Sequence, residues 1–196
     1  MMKQKSQKGA DIIIMKRKIY QQLLDWKEKR NGEVALLIEG ARRIGKSYIV
    51  EEFGKNEYES YILIDFNKAP KMVRDWFDLY LEDLDTLFLY LSQHYKVRLH
   101  ERKSLIILDE VQLCPRARAA IKFLVADGRY DYIETGSLVS IKKNTQGIVL
   151  PSEERPIQMY PMDFEEFLWA TGNEMLMELI RKRFAERKPM GQAFHR

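Results

Sequence analysis

Residues 34–47 read Val-Ala-Leu-Leu-Ile-Glu-Gly-Ala-Arg-Arg-Ile-Gly-Lys-Ser, and this stretch decides the fold. Val34 to Ile38 is a continuous apolar run of strand length, which is typical of a parallel strand buried on both faces. Directly after it, Gly40 to Ser47 matches the pattern Gly-x-x-x-x-Gly-Lys-Ser/Thr, the loop with which a protein cradles phosphate groups. The stretch therefore predicts a strand, a phosphate-binding loop and a helix in succession.

Each position of this loop has a physical task. Gly40 and Gly45 let the backbone turn tightly, so that its N–H groups converge on anionic phosphates at a helix N-terminus. Lys46 adds a charge that we expect to reach the β- and γ-phosphates, while the Ser47 hydroxyl is placed to bind Mg²⁺. The two arginines of the loop either neutralise phosphate or remain solvated. We predict that the nucleotide contacts Gly40, Ala41, Arg42, Arg43, Ile44, Gly45, Lys46, Ser47 and Tyr48.

A pair of carboxylates follows a second apolar run, Leu105 to Leu108. We expect Asp109 to hold Mg²⁺ through water and Glu110 to be the general base for the water that attacks the γ-phosphate. Such a pair favours hydrolysis of ATP over phosphoryl transfer to a small acceptor, because a kinase would avoid activating water in its site. Without the phosphate loop upstream, an Asp-Glu pair after a strand would be interpreted as a solvated strand end.

Four further polar residues lie at or just after the ends of the predicted strands. Thr135 and Ser137 flank a glycine at a strand end, where one of them either senses the γ-phosphate or caps a turn that needs no ligand. Thr135 is our catalytic candidate of the two. Gln112 is placed to bond the water or the loop. Cys114 has no adjacent His to activate it, so we expect a packed thiol rather than a nucleophile.

Apolar periodicity predicts alternating helices and strands. The helices fall at 16–29, at 46–53 with Gly54 as the C-terminal cap, in two parts over 72–95 with a break near Glu82 to Asp85, and at 116–126. The strands fall at 34–38, 61–64, 104–108 and 132–135. This alternation gives a parallel sheet covered by helices on both faces, with the ligand at the carboxyl ends of the strands.

A capping box is predicted late in the chain. Asp163 precedes Glu166 by three residues and is expected to cap a helix whose Phe164, Phe167 and Leu168 face inward. A basic helix then covers about 173–187. We predict a mobile arm at 1–15, a core domain at 16–172 and a basic helical tail at 173–196, which is the start of a truncated C-terminal region.

Composition narrows the class of protein. The chain has 196 residues, 45% of them hydrophobic and 32% charged, which is ordinary for a globular protein. No apolar run is long enough for a membrane span and no signal peptide is recognised. One cysteine and three scattered histidines offer no disulfide and no Cys/His metal cluster, and we expect a reducing cytoplasm.

The formal net charge of +4 comes mainly from the two ends of the chain. Basic residues cluster over 3–18 and 181–188, where solvated termini are the simpler explanation. No helix-turn-helix signature, zinc finger or interleaved aromatic and basic motif is present, so nucleic acid is not indicated as a partner.

Four motifs follow one another along the chain in this order: GARRIGKS, LIILDEVQ, ETGS and MYPMDFEEFLWA. With them, residues 16–171 resemble the prokaryotic AAA-family predicted ATPases, in which a P-loop NTPase domain precedes a C-terminal domain of unknown function. The resemblance implies a three-layer α/β/α fold of the ASCE type with strand order 5-1-4-3-2. It also implies phosphate and Mg²⁺ at Gly40, Gly45, Lys46 and Ser47, metal and water at Asp109 and Glu110, and γ-phosphate sensing at residues 135–137.

The resemblance also sets expectations for partners. Family members continue into a second domain, whereas this chain stops at Arg196, so a fragment or truncated product is expected, with a protein partner or the missing domain as effector. The preference for ATP over GTP comes from the resemblance, and no Asn-Lys-x-Asp motif for guanine is present. Relatives often assemble, whereas no feature of this sequence indicates a ring.

Three functions compete. The leading one is an ATPase domain that uses the γ-phosphate as a conformational switch. The alternative is a nucleotide-gated interaction module with little or no turnover, whose arginine finger is absent or supplied by a partner. Arg155 is the candidate for such an arginine, or it pairs with the neighbouring Glu153 and Glu154 on the surface. A small-molecule kinase is disfavoured by Glu110 and by the lack of an Arg-rich lid.

Overall fold

The structure, a computed structural model, describes residues 16–30, 32–137 and 152–191. Its strands are β1 (Ala35–Gly40), β2 (Ser60–Asp65), β3 (Ser104–Asp109), β4 (Asp131–Gly136) and β5 (Glu154–Met159). Its helices are α1 (Ile19–Arg30), α2 (Lys46–Glu57), α3 (Lys71–Leu79), α4 (Leu84–Tyr95), α5 (Pro115–Asp127), α6 (Phe164–Ala170) and α7 (Glu174–Ala185), and a 3-10 turn covers Val111–Leu113.

The described residues fall into two compact units. One comprises 19–161 and holds the sheet, and the other joins 16–18 to 162–191. The predicted arm at 1–15 lies outside the described residues. The predicted domain limits at 15 and 172 stay a prediction.

Five parallel strands form one sheet in the order β2-β3-β4-β1-β5. This is the order 5-1-4-3-2 that the resemblance implied, and the predicted fold class is confirmed. β4 lies between β1 and β3, with Ile133 opposite Leu36 on one side and Ile107 on the other. Because all strands run the same way, the carboxyl ends of β1, β3 and β4 meet at one edge of the sheet.

Apolar side chains form a core on each face of the sheet. Strand residues such as Ile38 and Ile133 pack in one cluster with Leu23 of α1 and Phe53 of α2. The opposite cluster joins the other face of the strands to α3, α4 and α5, through Phe77, Leu91 and Ile121 among others. Alternate strand positions pack on opposite faces, which is why β1 and β3 contain continuous apolar runs rather than an alternating pattern.

Two predicted helix limits need correction. Helix α1 begins at Ile19 and not at residue 16. Helix α2 does not stop at Gly54 but continues to Glu57. Gly54 is there because the helix lies close to β2, where a Cβ at this position would come within 3.0 Å of the Tyr61 ring. No strand was predicted at the residues of β5, since Glu154, Arg155 and Pro156 form no apolar run. As an edge strand β5 tolerates Pro156, whose missing N–H does not weaken an inner ladder.

The second unit contains the predicted capping box. Asp163 Oδ1 accepts a hydrogen bond from Glu166 N at 2.9 Å, and Glu166 Oε2 accepts one from Asp163 N at 3.1 Å. These bonds satisfy N–H groups that the first turn of α6 would otherwise leave without partners. The prediction of this helix start is confirmed.

The prediction that Phe164 and Phe167 face inward is wrong. Phe164 is 60% exposed and Phe167 is 52% exposed, whereas Leu168 is buried. Two adjacent carboxylates take the inward positions of α6, because cations of the same unit neutralise them: Glu165 is paired with Lys18 and Arg181, and Glu166 with Arg17.

No helix of the described residues has the length and apolar character that crossing a membrane requires.

A carboxyl group is buried in the middle of the sheet. Glu134 of β4 has no exposed surface and lies between Leu37 and Leu108 on the neighbouring strands. Arg118 of α5 donates to Glu154 of β5 from Nη2 at 3.1 Å, and the Glu154 carboxylate is close enough to act on Glu134. Burial first, and then the neighbouring Glu154 carboxylate, raise the pKa of Glu134 well above its usual value, and Arg118 acts against them. Glu134 therefore keeps a proton that an exposed Glu releases.

Glu134→Gln is expected to gain stability over the wild type as the pH rises. Above the pKa of an unfolded Glu, about 4.3, the unfolded wild-type chain releases a proton that folded Glu134 keeps. The wild type therefore loses about 1.4 kcal/mol per pH unit from this group until the pH reaches the folded pKa, and the glutamine variant does not. Urea denaturation at several pH values measures the difference. The control is Glu33→Gln, which removes an exposed Glu before β1. A difference between Glu134→Gln and wild type that stays constant with pH would contradict the assignment.

Candidate functional site

The loop between β1 and α2 carries the glycine-lysine-serine pattern. Gly45 immediately precedes the helix and has φ 92°, in the left-handed region that favours glycine, and Arg43 in the same loop has φ 63°. Gly45, the residue before the first turn of α2, has no side chain with which to cap that turn. The N-terminus of a helix, with its N–H groups and the positive end of the helix dipole, is a position that suits an anion.

Gly40 is required for a different reason. It ends β1 opposite Met159 of β5, and a Cβ at this position would lie 2.4 Å from the Met159 carbonyl oxygen and 2.8 Å from Ile44 Cδ1. The close approach of β5, rather than a left-handed backbone, therefore demands glycine at the first position of the loop.

Gly40→Ala is expected to lower the free energy of unfolding by about 1–3 kcal/mol, the usual cost of overpacking. The added methyl group must push β5 or the loop away, because a backbone carbonyl cannot yield as a flexible side chain does. The midpoint of urea denaturation gives the change. The matched control is Ala41→Ser, which adds one atom at the exposed next residue. Equal midpoints for the two variants would show that the contact is not tight.

Lys46 begins helix α2 and is only 4% exposed. Its ammonium donates to the carbonyl oxygens of Ala41 at 2.7 Å and Gly40 at 3.2 Å, so it lies over the loop. Burial lowers the pKa of Lys46, while the carboxylates of Glu110 and Asp109 act in the other direction. A buried cation at the start of a helix has the charge and the position that phosphate oxygens would need.

One connected hydrogen-bond chain joins the loop to the ends of β3 and β4. Ser47 Oγ donates to Asp109 Oδ1 at 2.8 Å, and Thr135 Oγ1 donates to the same oxygen. Thr135 Oγ1 in turn accepts from the backbone N–H of Glu110 at 3.2 Å. The structure thus brings the predicted residues Ser47, Asp109, Glu110 and Thr135 together at the carboxyl edge of the sheet.

Asp109 is 4% exposed and sits at the centre of this chain. Burial raises the pKa of its carboxyl group, the bonds from Thr135 and Ser47 lower it, and the charges of Asp65 and Glu110 raise it again. A divalent cation beside Asp109 would favour its ionised form.

The donor set of the site suits Mg²⁺. Ser47 and Asp109 offer a hydroxyl and a carboxylate oxygen 2.8 Å apart, and hard cations prefer oxygen ligands. Within the described residues, no group of three or more His, Cys, Asp or Glu side chains could hold a metal ion by itself. Mg²⁺ usually takes only one or two protein ligands and keeps substrate phosphates and water as the others, so Ser47 and Asp109 would be enough protein ligands for it here.

Several other predicted residues have clear positions. Arg42, Arg43 and Tyr48 are exposed in the loop and the first turn of α2. Ser137 is buried, and its hydroxyl has no hydrogen-bond partner among the described residues. Cys114 is a buried thiol whose pKa burial raises, as expected of a packed group.

Arg155 lies away from the phosphate loop. It is an exposed residue of β5 opposite Leu36, four positions before Gly40 along β1. At about 3.3 Å per residue, that register separates it from the loop by about 13 Å. The structure thus does not bring Arg155 together with the other candidates.

Two contributors to the site were not predicted. Asp65, at the end of β2, lies opposite Asp109, and its charge acts on the Asp109 carboxyl. Its position after an apolar strand was a usable signal. Arg74 of α3 donates to the carbonyl oxygens of Phe66 and, at 3.2 Å, of Leu113, and so connects the segments after β2 and β3. Nothing in the sequence around Arg74 indicates this role.

The comparisons with known proteins agree with this architecture. A family model described as an AAA domain matches residues 33–168, which is more than half of the chain. The chain therefore belongs to the AAA domain family. The match covers every candidate residue from Gly40 to Thr135.

Similar proteins are known from other organisms. The uncharacterized protein MJ1637 of Methanocaldococcus jannaschii is 25% identical over 181 residues, which cover 91% of this chain and 36% of that protein. An uncharacterized protein of Haemophilus influenzae is 23% identical over 191 residues, covering 93% of this chain and 44% of its own length. The chain thus spans less than half the length of these curated relatives.

Two solved structures show a weaker likeness. The structure of C. elegans PCH-2 is 14% identical with a TM-score of 0.36, over 83% of this chain and 43% of that one. The Pyrococcus furiosus Hef helicase domain is 14% identical with a TM-score of 0.33, over 72% of this chain and 38% of that one. At these TM-scores neither likeness supports an inference about function.

Proposed function

We propose that this chain binds ATP with Mg²⁺ at residues 40–48 and hydrolyses it. The observation that carries the proposal is the hydrogen-bond chain from Ser47 through Asp109 and Thr135 to Glu110, beside the buried Lys46. It supports the proposal because a lysine ammonium, several oxygen donors and a second carboxylate lie at one edge of the sheet. These are the parts that phosphoryl transfer to water needs.

Phosphate binding is assigned to the loop and Lys46. The ammonium exchanges its bonds to the loop carbonyls of Gly40 and Ala41 for bonds to the β- and γ-phosphates, which carry more negative charge. The N-terminus of α2 adds its N–H groups and its dipole. Ser47 and Asp109 would hold Mg²⁺, which supplies positive charge against the phosphate oxygens.

Hydrolysis is assigned to Glu110. The oxygen of a water molecule forms a bond to the γ-phosphorus while the bond from that phosphorus to the β,γ-bridging oxygen breaks. Glu110 accepts the proton of the water, and ADP and inorganic phosphate leave. Thr135 supports this step, because its hydroxyl contacts both Asp109 and the backbone of Glu110.

The nucleotide state is proposed to act as a conformational switch. Loops that the γ-phosphate orders relax when it leaves, so a protein partner or a further domain can sense the change. Arg74 provides a physical connection for it, since it ties the segment after β2 to the turn after β3. The choice of ATP over GTP rests on the family alone.

The alternative is a nucleotide-gated interaction module with little or no turnover. The position of Arg155 favours it, because an arginine about 13 Å along the strand from the loop cannot stabilise charge on the γ-phosphate. In that case a partner would supply the arginine.

Phosphate release tests the proposal. Purified protein is incubated with ATP and Mg²⁺, with EDTA in place of Mg²⁺, and with GTP and Mg²⁺. Release that needs Mg²⁺ and prefers ATP is the expected result. Tight ATP binding with no release would favour the alternative module, and no nucleotide binding would overturn both.

A further inference from the structure

The proposed base, Glu110, has an unusual backbone conformation. Its φ and ψ are 55° and 47°, in the left-handed region that a residue with a side chain adopts only at a cost of about 1 kcal/mol or more. The bond from its N–H to Thr135 Oγ1 helps to hold this conformation. The chain therefore turns sharply at the end of β3, and the direction of the Glu110 side chain depends on the residues immediately beyond the turn.

A short 3-10 turn, Val111–Leu113, comes directly after Glu110. Leu113 N donates to Glu110 O at 2.9 Å, and Arg74 bonds the Leu113 carbonyl at 3.2 Å. Val111 is fully buried. The turn is thus fixed by bonds at both of its ends and by packing of Val111.

Gln112, in the middle of this turn, points its side chain back to Glu110. It is only 3% exposed, and its Nε2 donates to Glu110 Oε2. Burying a side-chain amide costs free energy unless it is hydrogen-bonded, and a bond to a carboxylate is stronger than one between neutral groups. A buried donor on a fixed turn is therefore a specific constraint on the Glu110 carboxylate.

We propose that Gln112 is the positioning residue of this site: its amide holds one oxygen of the Glu110 carboxylate, so that the other oxygen is aimed at the attacking water. The inference rests on the proposed function and adds a residue to it. Gln112 itself touches neither phosphate nor water in this role. Its effect is therefore on the rate of the chemical step, not on nucleotide affinity.

Two substitutions separate positioning from packing. Gln112→Met keeps the approximate volume and removes the donor, and Gln112→Glu keeps the shape but places a like charge beside Glu110. We expect kcat for ATP to fall about 10- to 100-fold in the first and further in the second, because small displacements of a reacting group have effects of this size. KM for ATP and the Kd of the ATP complex stay within about twofold of the wild type. Gln93→Met, the same substitution at an exposed position of α4, is the control and keeps the wild-type kcat.

A second measurement needs no nucleotide. In protein labelled with ¹⁵N at glutamine, the side-chain amide signal of Gln112 is assigned by its loss in Gln112→Met. We expect this signal to shift, and its protons to exchange faster with solvent, in Glu110→Ala but not in the exposed-residue variant Glu101→Ala. An unchanged signal in Glu110→Ala would overturn the contact.

The outcomes separate this inference from the proposed function. Phosphate release by the wild type with an unchanged kcat in Gln112→Met and Gln112→Glu overturns the positioning role alone. A loss of kcat that is matched by an equal loss of ATP affinity would show a packing role and overturn it as well. No release by the wild type overturns hydrolysis, and the role of Gln112 in it, while the amide signal still decides whether the contact exists.

Discussion

Glu110→Gln is expected to reduce phosphate release from ATP about 10²- to 10⁴-fold while leaving ATP binding intact, since this is the usual range for loss of a general base. The amide has nearly the same shape as the carboxylate, and its oxygen can still accept the bond from Gln112. It cannot take the proton of the attacking water. Single-turnover phosphate release and equilibrium binding of ATP, measured on the same preparations, give the two quantities.

The control for Glu110→Gln is Glu101→Gln, which removes an exposed carboxylate before β3. It should release phosphate at the wild-type rate. Equal rates for Glu110→Gln and the wild type would show that another group activates the water. Loss of ATP binding in Glu110→Gln would mean instead that this side chain supports the loop rather than the reaction.

Lys46→Ala is expected to weaken ATP binding about 100-fold or more. The substitution removes a buried ammonium whose charge-assisted bonds to phosphate contribute about 1.5–3 kcal/mol each. Because Lys46 also donates to the carbonyls of Gly40 and Ala41, its loss frees the loop as well as removing the charge. Isothermal titration calorimetry with ATP and Mg²⁺ measures the change.

The matched control for Lys46→Ala is Lys55→Ala. Lys55 lies on the same helix, is 44% exposed, and pairs with Glu51 and Glu52. Its substitution removes the same charge from α2 without touching the loop, so ATP affinity should not change. A similar loss of affinity in both variants would indicate a general effect of charge and not a phosphate contact at Lys46.

The hydrophobic pattern within single segments was sufficient to predict four of the five strands of the sheet. The runs that became β1 and β3 are apolar at most of their buried positions, so their identity did not depend on distant partners. β5 was missed because an edge strand is allowed charged residues and Pro156, which locally resemble a loop. Its place beside β1 came from the family resemblance and not from its own residues.

Errors arose where long-range contacts override local preference. Gly54 looks like a helix end, but contact with Tyr61 on β2 explains the glycine inside α2. Phe164 and Phe167 look like core residues, yet ion pairs draw Glu165 and Glu166 inward instead. The sequence of α2 or α6 alone does not reveal that Tyr61 lies against Gly54, or that basic residues pair with Glu165 and Glu166.

The residues of the candidate site that belong to motifs were predicted from the sequence, whereas those that depend on contacts with distant segments were not. Lys46, Ser47, Asp109 and Glu110 follow from motif and spacing, and the structure brings them together. The reason for Gly40, by contrast, depends on β5, and the contacts of Asp65 and Arg74 depend on the neighbouring strand end and turn. Gln112 was noticed by its position, but its bond to Glu110 requires the left-handed turn at the end of β3.

The most direct test of the central claim is calorimetric binding of ATP to the wild-type chain, with and without Mg²⁺. A site built from Lys46, Ser47 and Asp109 predicts saturable binding of one ATP per chain, tighter with Mg²⁺ and abolished or strongly weakened in Lys46→Ala. The absence of ATP binding by the folded wild type, or binding that is indifferent to both Mg²⁺ and Lys46, would contradict the assignment of this loop as a nucleotide site.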